Sequence, residues 1–281
     1  MKYLLIFILL SSFNVSAQVE PINNMYWNSY SYYNPAMGGV HFAHEGNVSY
    51  RSDFERNSCS PSLLINYAMN IKEKHAIGFN YVNISRGSST NQQIKLNYNY
   101  QVDIGEDKKL VFGAALNYGR FSPYSLPFCN SLDSMTTYDN AFFLDAGIAY
   151  YGEKLTAGLG VMQIPVFLES NRTWEPQING NIRYQINLSP EPNFLILESS
   201  FRTDLVEYSQ DFNVGYNFKN IFEAGIGYRT TETILFNATG IVRENYRIGY
   251  SFAYSLNQQY GIARSMHEIT LGLRFGSLKN Q

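Results

Sequence analysis

The residues of this 281-residue chain that could do chemistry are few: two cysteines, four histidines, and a scatter of carboxylates and guanidinium groups. Cys59 and Cys129 could bridge in an exported protein, or stand as two unbridged loop thiols. Together with the dispersed His41, His44, His75 and His267 they make too thin a ligand set for a metal site. His267 is followed directly by Glu268, so on a strand the two side chains point to opposite faces and cannot work as a pair. Neither a Gly-x-Ser-x-Gly elbow nor a phosphate-cradling glycine motif is present. The pattern supports neither catalysis nor a cofactor. What remains is a series of ionisable groups: Arg51, Asp53, Glu55, Asp145, Glu198, Arg202, Glu223, Arg229, Arg247, Glu268 and Arg274. Both signs are interleaved, which argues for mutual pairing over a one-sign selectivity ring.

The elements that carry these charges alternate with period two. "YRIGYSFAYSL" sets Tyr246, Ile248, Tyr250, Phe252, Tyr254 and Leu256 on one face and Arg247, Gly249, Ser251, Ala253 and Ser255 on the other. "FEAGIGYR", "EITLGLRF" and "LVFGAALNY" read the same way. Such repetition is a β signal. About fourteen strands are expected, at 47–55, 61–70, 75–86, 91–103, 109–120, 141–151, 154–163, 178–188, 193–203, 210–218, 220–230, 233–242, 246–256 and 265–276. Most reach ten residues or so, near the ~9–11 that cross a bilayer at a tilt. Composition agrees: 23 Tyr and 19 Phe accompany only 16% charged residues, against a usual ~25%. The mean hydropathy of −0.24 is what alternation averages to.

These features predict an all-β fold, a transmembrane antiparallel up-and-down β-barrel over residues 47–276 with both termini periplasmic. Alternate connections ("IKEK", "GEDK", "GEK", "SPEP", "KN", "REN") are very short, and the long ones, near 121–140 and 164–177, fall on the other side. Short periplasmic turns and longer external loops are the expected asymmetry. A bilayer cannot satisfy a lone Arg or Glu, so the apolar face must meet lipid and the glycine, serine and charged face must line the lumen. There the charges either pack the interior and dock the N-terminal segment, or line a polar conduit. A soluble β-sandwich competes, but it calls for shorter strands with turns every 8–12 residues.

The ends fit export. Lys2, the apolar run from Tyr3 to Leu10 and the small residues Val15, Ser16 and Ala17 predict a signal peptide, 1–17, removed after Ala17. Residues 18–46 form a periplasmic N-terminal segment that could enter the barrel mouth or lie on its rim and is expected to dock in the barrel, and 277–281 form a polar tail. In "YYNPAMGGV", Asn34-Pro35 is expected to reverse the chain and Gly38-Gly39 to allow close approach to the lumen wall. A net charge of −2 suggests no nucleic-acid partner.

Four stretches, in order, resemble the PorP/SprF outer-membrane proteins of the type IX secretion and gliding apparatus of Bacteroidetes. They are Asn34-Pro35-Ala36 with its following glycines, Tyr50-Arg51, the pair "LVFGAALNYGRF" and "FFLDAGIAYYGEKLTAGLGVMQIP", and "YRIGYSFAYSLNQQYGIARSMHEITLGLRF". "SDF" stands where members commonly carry Gln-Trp, and Phe252-Ala253 stands where an Asp is common. The resemblance implies a non-enzymatic barrel in the outer membrane of a Gram-negative bacterium. It would have no cofactor and would partner secreted adhesins or the periplasmic secretion ring. A diffusion channel or a transporter of hydrophobic substrates is the alternative. An outer-membrane hydrolase would need a polar Ser-His pair at the lipid boundary, and none is legible.

Overall fold

A computed structural model of the protein describes residues 23–53, 61–86, 89–122, 139–169, 175–188, 192–257 and 265–278. Fourteen strands follow one another: β1 (Phe42–Ser52), β2 (Ser62–Lys72), β3 (His75–Arg86), β4 (Ser89–Gly105), β5 (Lys108–Ser122), β6 (Asp139–Tyr151) and β7 (Leu155–Leu168). The second half comprises β8 (Gln177–Asn187), β9 (Phe194–Thr203), β10 (Tyr208–Phe218), β11 (Phe222–Arg229), β12 (Thr233–Val242), β13 (Tyr246–Ser255) and β14 (Ser265–Ser277). Each pairs antiparallel with its sequence neighbours, and β1 pairs with β14 to close the barrel. Closure removes the unpaired edges that a bilayer could not satisfy.

The count and the order of the strands are those expected from the alternation. The first boundary differs, because β1 begins at Phe42 and not at 47. His44 and Gly46 interrupt the apolar stripe on its outer face, which hid the strand's start. Phe42 lies opposite Ser277, so the chain enters and leaves the barrel at one end, here the terminal end. The turns after β2, β4, β6, β8, β10 and β12 lie there, and the longer connections lie at the far end. Lys219-Asn220 (φ 52° and 54°) and Arg243-Glu244 (φ 51° and 60°) begin the three-residue turns 219–221 and 243–245 with two left-handed residues each.

The outer surface is apolar and aromatic, with Tyr50, Leu96, Leu116, Ile248, Ile269 and Leu271 all exposed. The lumen is not empty. Residues 23–41 cross it as a single 3-10 turn (Tyr26–Asn28), one turn of α-helix (Tyr30–Tyr33) and a reversal at Asn34-Pro35. Met25, Tyr26, Trp27, Tyr32 and Tyr33 pack with Leu64, Val82, Ile84 and Met162 of the wall. Ala36, Met37 and Val40 pack with Val111, Ala149 and Tyr151. The apolar core therefore sits inside the barrel, between wall and segment.

Candidate functional site: the occupied lumen

A backbone stretch with so little regular structure can be buried only if its polar groups find partners. β4 supplies most of them from one row of alternate residues, Gln93, Lys95, Asn97, Asn99 and Gln101. The Tyr32 hydroxyl donates to Gln93 Oε1 (3.2 Å). Lys95 Nζ donates to Tyr32 O (3.2 Å) and also lies over the Tyr32 ring, 4.1 Å from its centroid. Asn97 donates to Ser31 O (2.7 Å), Asn99 to Gly38 O (2.9 Å) and Gln101 to Gly39 O (3.0 Å). Asn70 on β2 also donates to Gly39 O (3.0 Å).

The Asn34-Pro35 reversal is fixed from both sides. Asn34 Oδ1 accepts the Ala36 N–H (2.9 Å), Asn34 O accepts the Met37 N–H (2.9 Å), and Asn34 Nδ2 donates to Ile148 O on β6 (3.0 Å). The wall is notched to receive it. A Cβ on Gly113 would lie 2.2 Å from Ala36 N, and one on Gly147 would lie 2.0 Å from Asn34 Oδ1. Gly39 adopts φ +65°, and a Cβ there would lie 2.7 Å from the Ala76 Cβ. Gly38 comes almost as close to Ala68. At the other end of the segment, Glu268 on β14 accepts the Asn24 N–H, the Met25 N–H (3.3 Å) and the Ser49 hydroxyl (2.8 Å).

The charged groups form separate clusters. Lys95 pairs with Asp145 (2.7 Å), whose second oxygen accepts the Gln163 N–H (2.7 Å) and so holds the bulge of β7, where Gln163 has φ 59°. Asp211 bridges Arg202 (2.8 Å) and Arg229 (2.7 Å). Arg183 pairs with Glu198, and its other nitrogen lies 4.0 Å from Glu223. Arg51 and Asp53 are buried at the far end of β1. Arg247 and Arg274 line a cavity of about 950 Å³ that opens at the terminal end below the segment, together with Arg183, Glu45 and Glu223.

Sequence reasoning placed Arg51, Asp53, Asp145, Glu198, Arg202, Glu223, Arg229, Arg247, Glu268 and Arg274 on the lumen side. It missed Lys95, Arg183 and Asp211, the partners of Asp145, Glu198, Arg202 and Arg229, and the amide row of β4. Parity carries the signal: Lys95 stands between outward Ile94 and Leu96, and Arg183 between outward Ile182 and Tyr184, while Asp211 and Gln93 are each followed by an outward apolar residue, Phe212 and Ile94. His267 points outward to the Tyr250 hydroxyl (2.7 Å), while its neighbour Glu268 is buried inside. No cluster of three metal-ligating side chains occurs among the described residues. Cys59, Cys129, Glu55 and the expected signal peptide lie outside the described residues, as does most of the long loop at 121–140.

A closed antiparallel barrel with a lipid-compatible exterior and a polar, charged lumen defines an outer-membrane β-barrel protein. A solved outer-membrane protein is similar to it in fold. Omp33 of Acinetobacter baumannii superposes with a TM-score of 0.51 at 9% identity, covering 84% of this chain and 100% of that one. CdiB of Acinetobacter baumannii (TM-score 0.47, 9% identity, 83% of this chain and 60% of that) and the KdgM porin (0.44, 9%, 82% and 99%) are more distant. No curated protein matches the chain by sequence. The family model for the type IX secretion system membrane protein PorP/SprF matches residues 15–273, nearly the whole chain. The chain belongs to the PorP/SprF family and is a component of the outer membrane.

Proposed function

We propose that this barrel is a closed, non-enzymatic component of the type IX secretion or gliding apparatus that anchors or partners secreted surface proteins such as adhesins, or the periplasmic secretion ring. Both termini, and with them the open cavity at the terminal end, face the periplasm. The observation that carries the reading is the segment 23–41, whose carbonyls are taken up by the β4 row and whose first amides are taken up by Glu268. A lumen filled by a bonded and apolar segment does not conduct. Such a barrel acts through its surfaces, as the family's place in a secretion system supports. In planar bilayers the protein should give no stable open conductance, and deletion of residues 20–40 should open it or abolish partner capture. Robust ohmic pores from the intact protein would refute the reading in favour of a diffusion channel or transporter.

A further inference from the structure

The cavity of about 950 Å³ at the terminal end is lined by three arginines, Arg247 and Arg274 on the adjacent strands β13 and β14 and Arg183 on β8 across the lumen. Acids are unevenly shared among them. Arg183 takes Glu198 and lies 4.0 Å from Glu223. Glu45 stands cross-strand from Arg274 but accepts the Gly39 N–H at 2.7 Å, and the Arg274 guanidinium rests over the Phe42 ring at 5.4 Å. Arg247 has no hydrogen bond and no ion pair among the described residues, and its cross-strand neighbours are Ile241 and Gly272. Gly272 precedes Arg274 by two positions on the same face, so the two guanidinium groups stand as diagonal neighbours. Like charges held together in a half-buried wall, one of them with no carboxylate in contact, favour an anion between them.

We propose that Arg247 and Arg274 form a carboxylate-binding subsite, and that it seats an acidic stretch of an extended polypeptide entering the cavity from the terminal end. Arginine forks bind carboxylates bidentately. Trp27, Val40, Phe42 and Phe194 line the same cavity and supply apolar contacts that a chain can use and a small inorganic anion cannot. The inference builds on the partner-binding reading and adds the chemistry of the partner.

The test uses the full-length protein in detergent micelles, with fluorescein-labelled hexaglutamate as the probe and labelled hexalysine as the opposite-charge control. Hexaglutamate should bind, and added salt should weaken the binding. R247Q and R274Q should each lose about tenfold or more in affinity, the scale of one charge-assisted contact. R247K should fall between the parent and R247Q, because it keeps the charge and gives up the bidentate fork. R120Q, a charge change at the far end, should not differ, and heat-modifiable gel mobility checks that each variant is a folded barrel. Equal affinity in R247Q and the parent, or equal binding of hexalysine, overturns the proposal. So does displacement of the probe by inorganic phosphate as efficiently as by unlabelled hexaglutamate. The conductance measurement reads the plug and the peptide measurement reads the cavity, so either reading can fail alone.

Discussion

The notch in the lumen wall makes the sharpest prediction. Gly113 and Gly147 lie in strands with no positive φ, so alanine suits their backbone, and only the space in front of them objects. The Cβ of G113A would stand 2.2 Å from Ala36 N where ordinary contact begins at 3.4 Å, a deficit of 3.4 − 2.2 = 1.2 Å. For G147A the deficit against Asn34 Oδ1 is 3.4 − 2.0 = 1.4 Å. No rotamer relieves the first clash, because Ala36 N is backbone, tied to the Pro35 ring and to Asn34 Oδ1. Overpacking of this kind costs about 1–3 kcal/mol. Displacing Asn34 also breaks its bonds to Ala36 N and Ile148 O, each worth about 1 kcal/mol net. The double variant G113A/G147A should therefore lose about 3–5 kcal/mol of docking, raising the undocked population by about two to four powers of ten. Planar-bilayer conductance should rise, and the N-terminal segment should become cleavable by protease, while heat-modifiable gel mobility reports an intact barrel. G215A is the matched control: it faces the same lumen, but its Cβ would meet nothing nearer than 3.6 Å, so it should change neither readout. A double variant as closed and as protected as the parent, or a G215A that opens as readily, would refute the argument.

Two further outcomes follow from the same contacts. K95M should cost about 3 kcal/mol of barrel stability in micelles by leaving Asp145 buried without its cation, whereas K95M/D145L should cost clearly less than the two single changes added together. Denaturant unfolding checks this, and simple additivity would count against a coupled pair. Burial holds the phenols of Tyr26, Tyr30 and Tyr32 well above the ordinary value of 10.0. Below that value they are neutral whether docked or released and add no pH dependence. As pH rises through it, only the released phenols ionise. Protease protection of the segment should thus be flat up to about pH 9 and fall above about pH 10; protection lost at neutral pH would mean that another group controls docking.

How far the sequence carries the fold can be seen on β10. In "YSQDFNVGYNF" the outward Phe212, Val214, Tyr216 and Phe218 place Asp211, Asn213 and Asn217 in the lumen, where they are buried. Period two fixes the face of every such residue, because a one-residue slip would put a carboxylate into lipid. It fixes no partner. Lys95 on β4 meets Asp145 on β6 across the whole width of β5, and it can do so because Asp145 lies opposite the small Ala115, whose other neighbour is Asn97. That pairing depends on the stagger of three strands, which no local pattern encodes.

The plug was harder still to read, for a physical reason. Gly113, Gly147 and Gly215 look alike in sequence, each a lumen-side glycine between outward apolar residues. They differ only in what stands opposite them: the Asn34-Pro35-Ala36 reversal for the first two, and nothing closer than ordinary contact for the third. Likewise the β4 amides could have bonded side chains on neighbouring strands. They act instead on the segment, because its carbonyls, lacking regular structure over most of 23–41, are the unsatisfied acceptors within reach. The barrel is a consequence of alternation, which is local and repeated. The state of the lumen is a consequence of one irregular stretch meeting one irregular set of wall positions. That is why a handful of alanine substitutions at those positions bears on function more directly than any change to the strands that build the barrel.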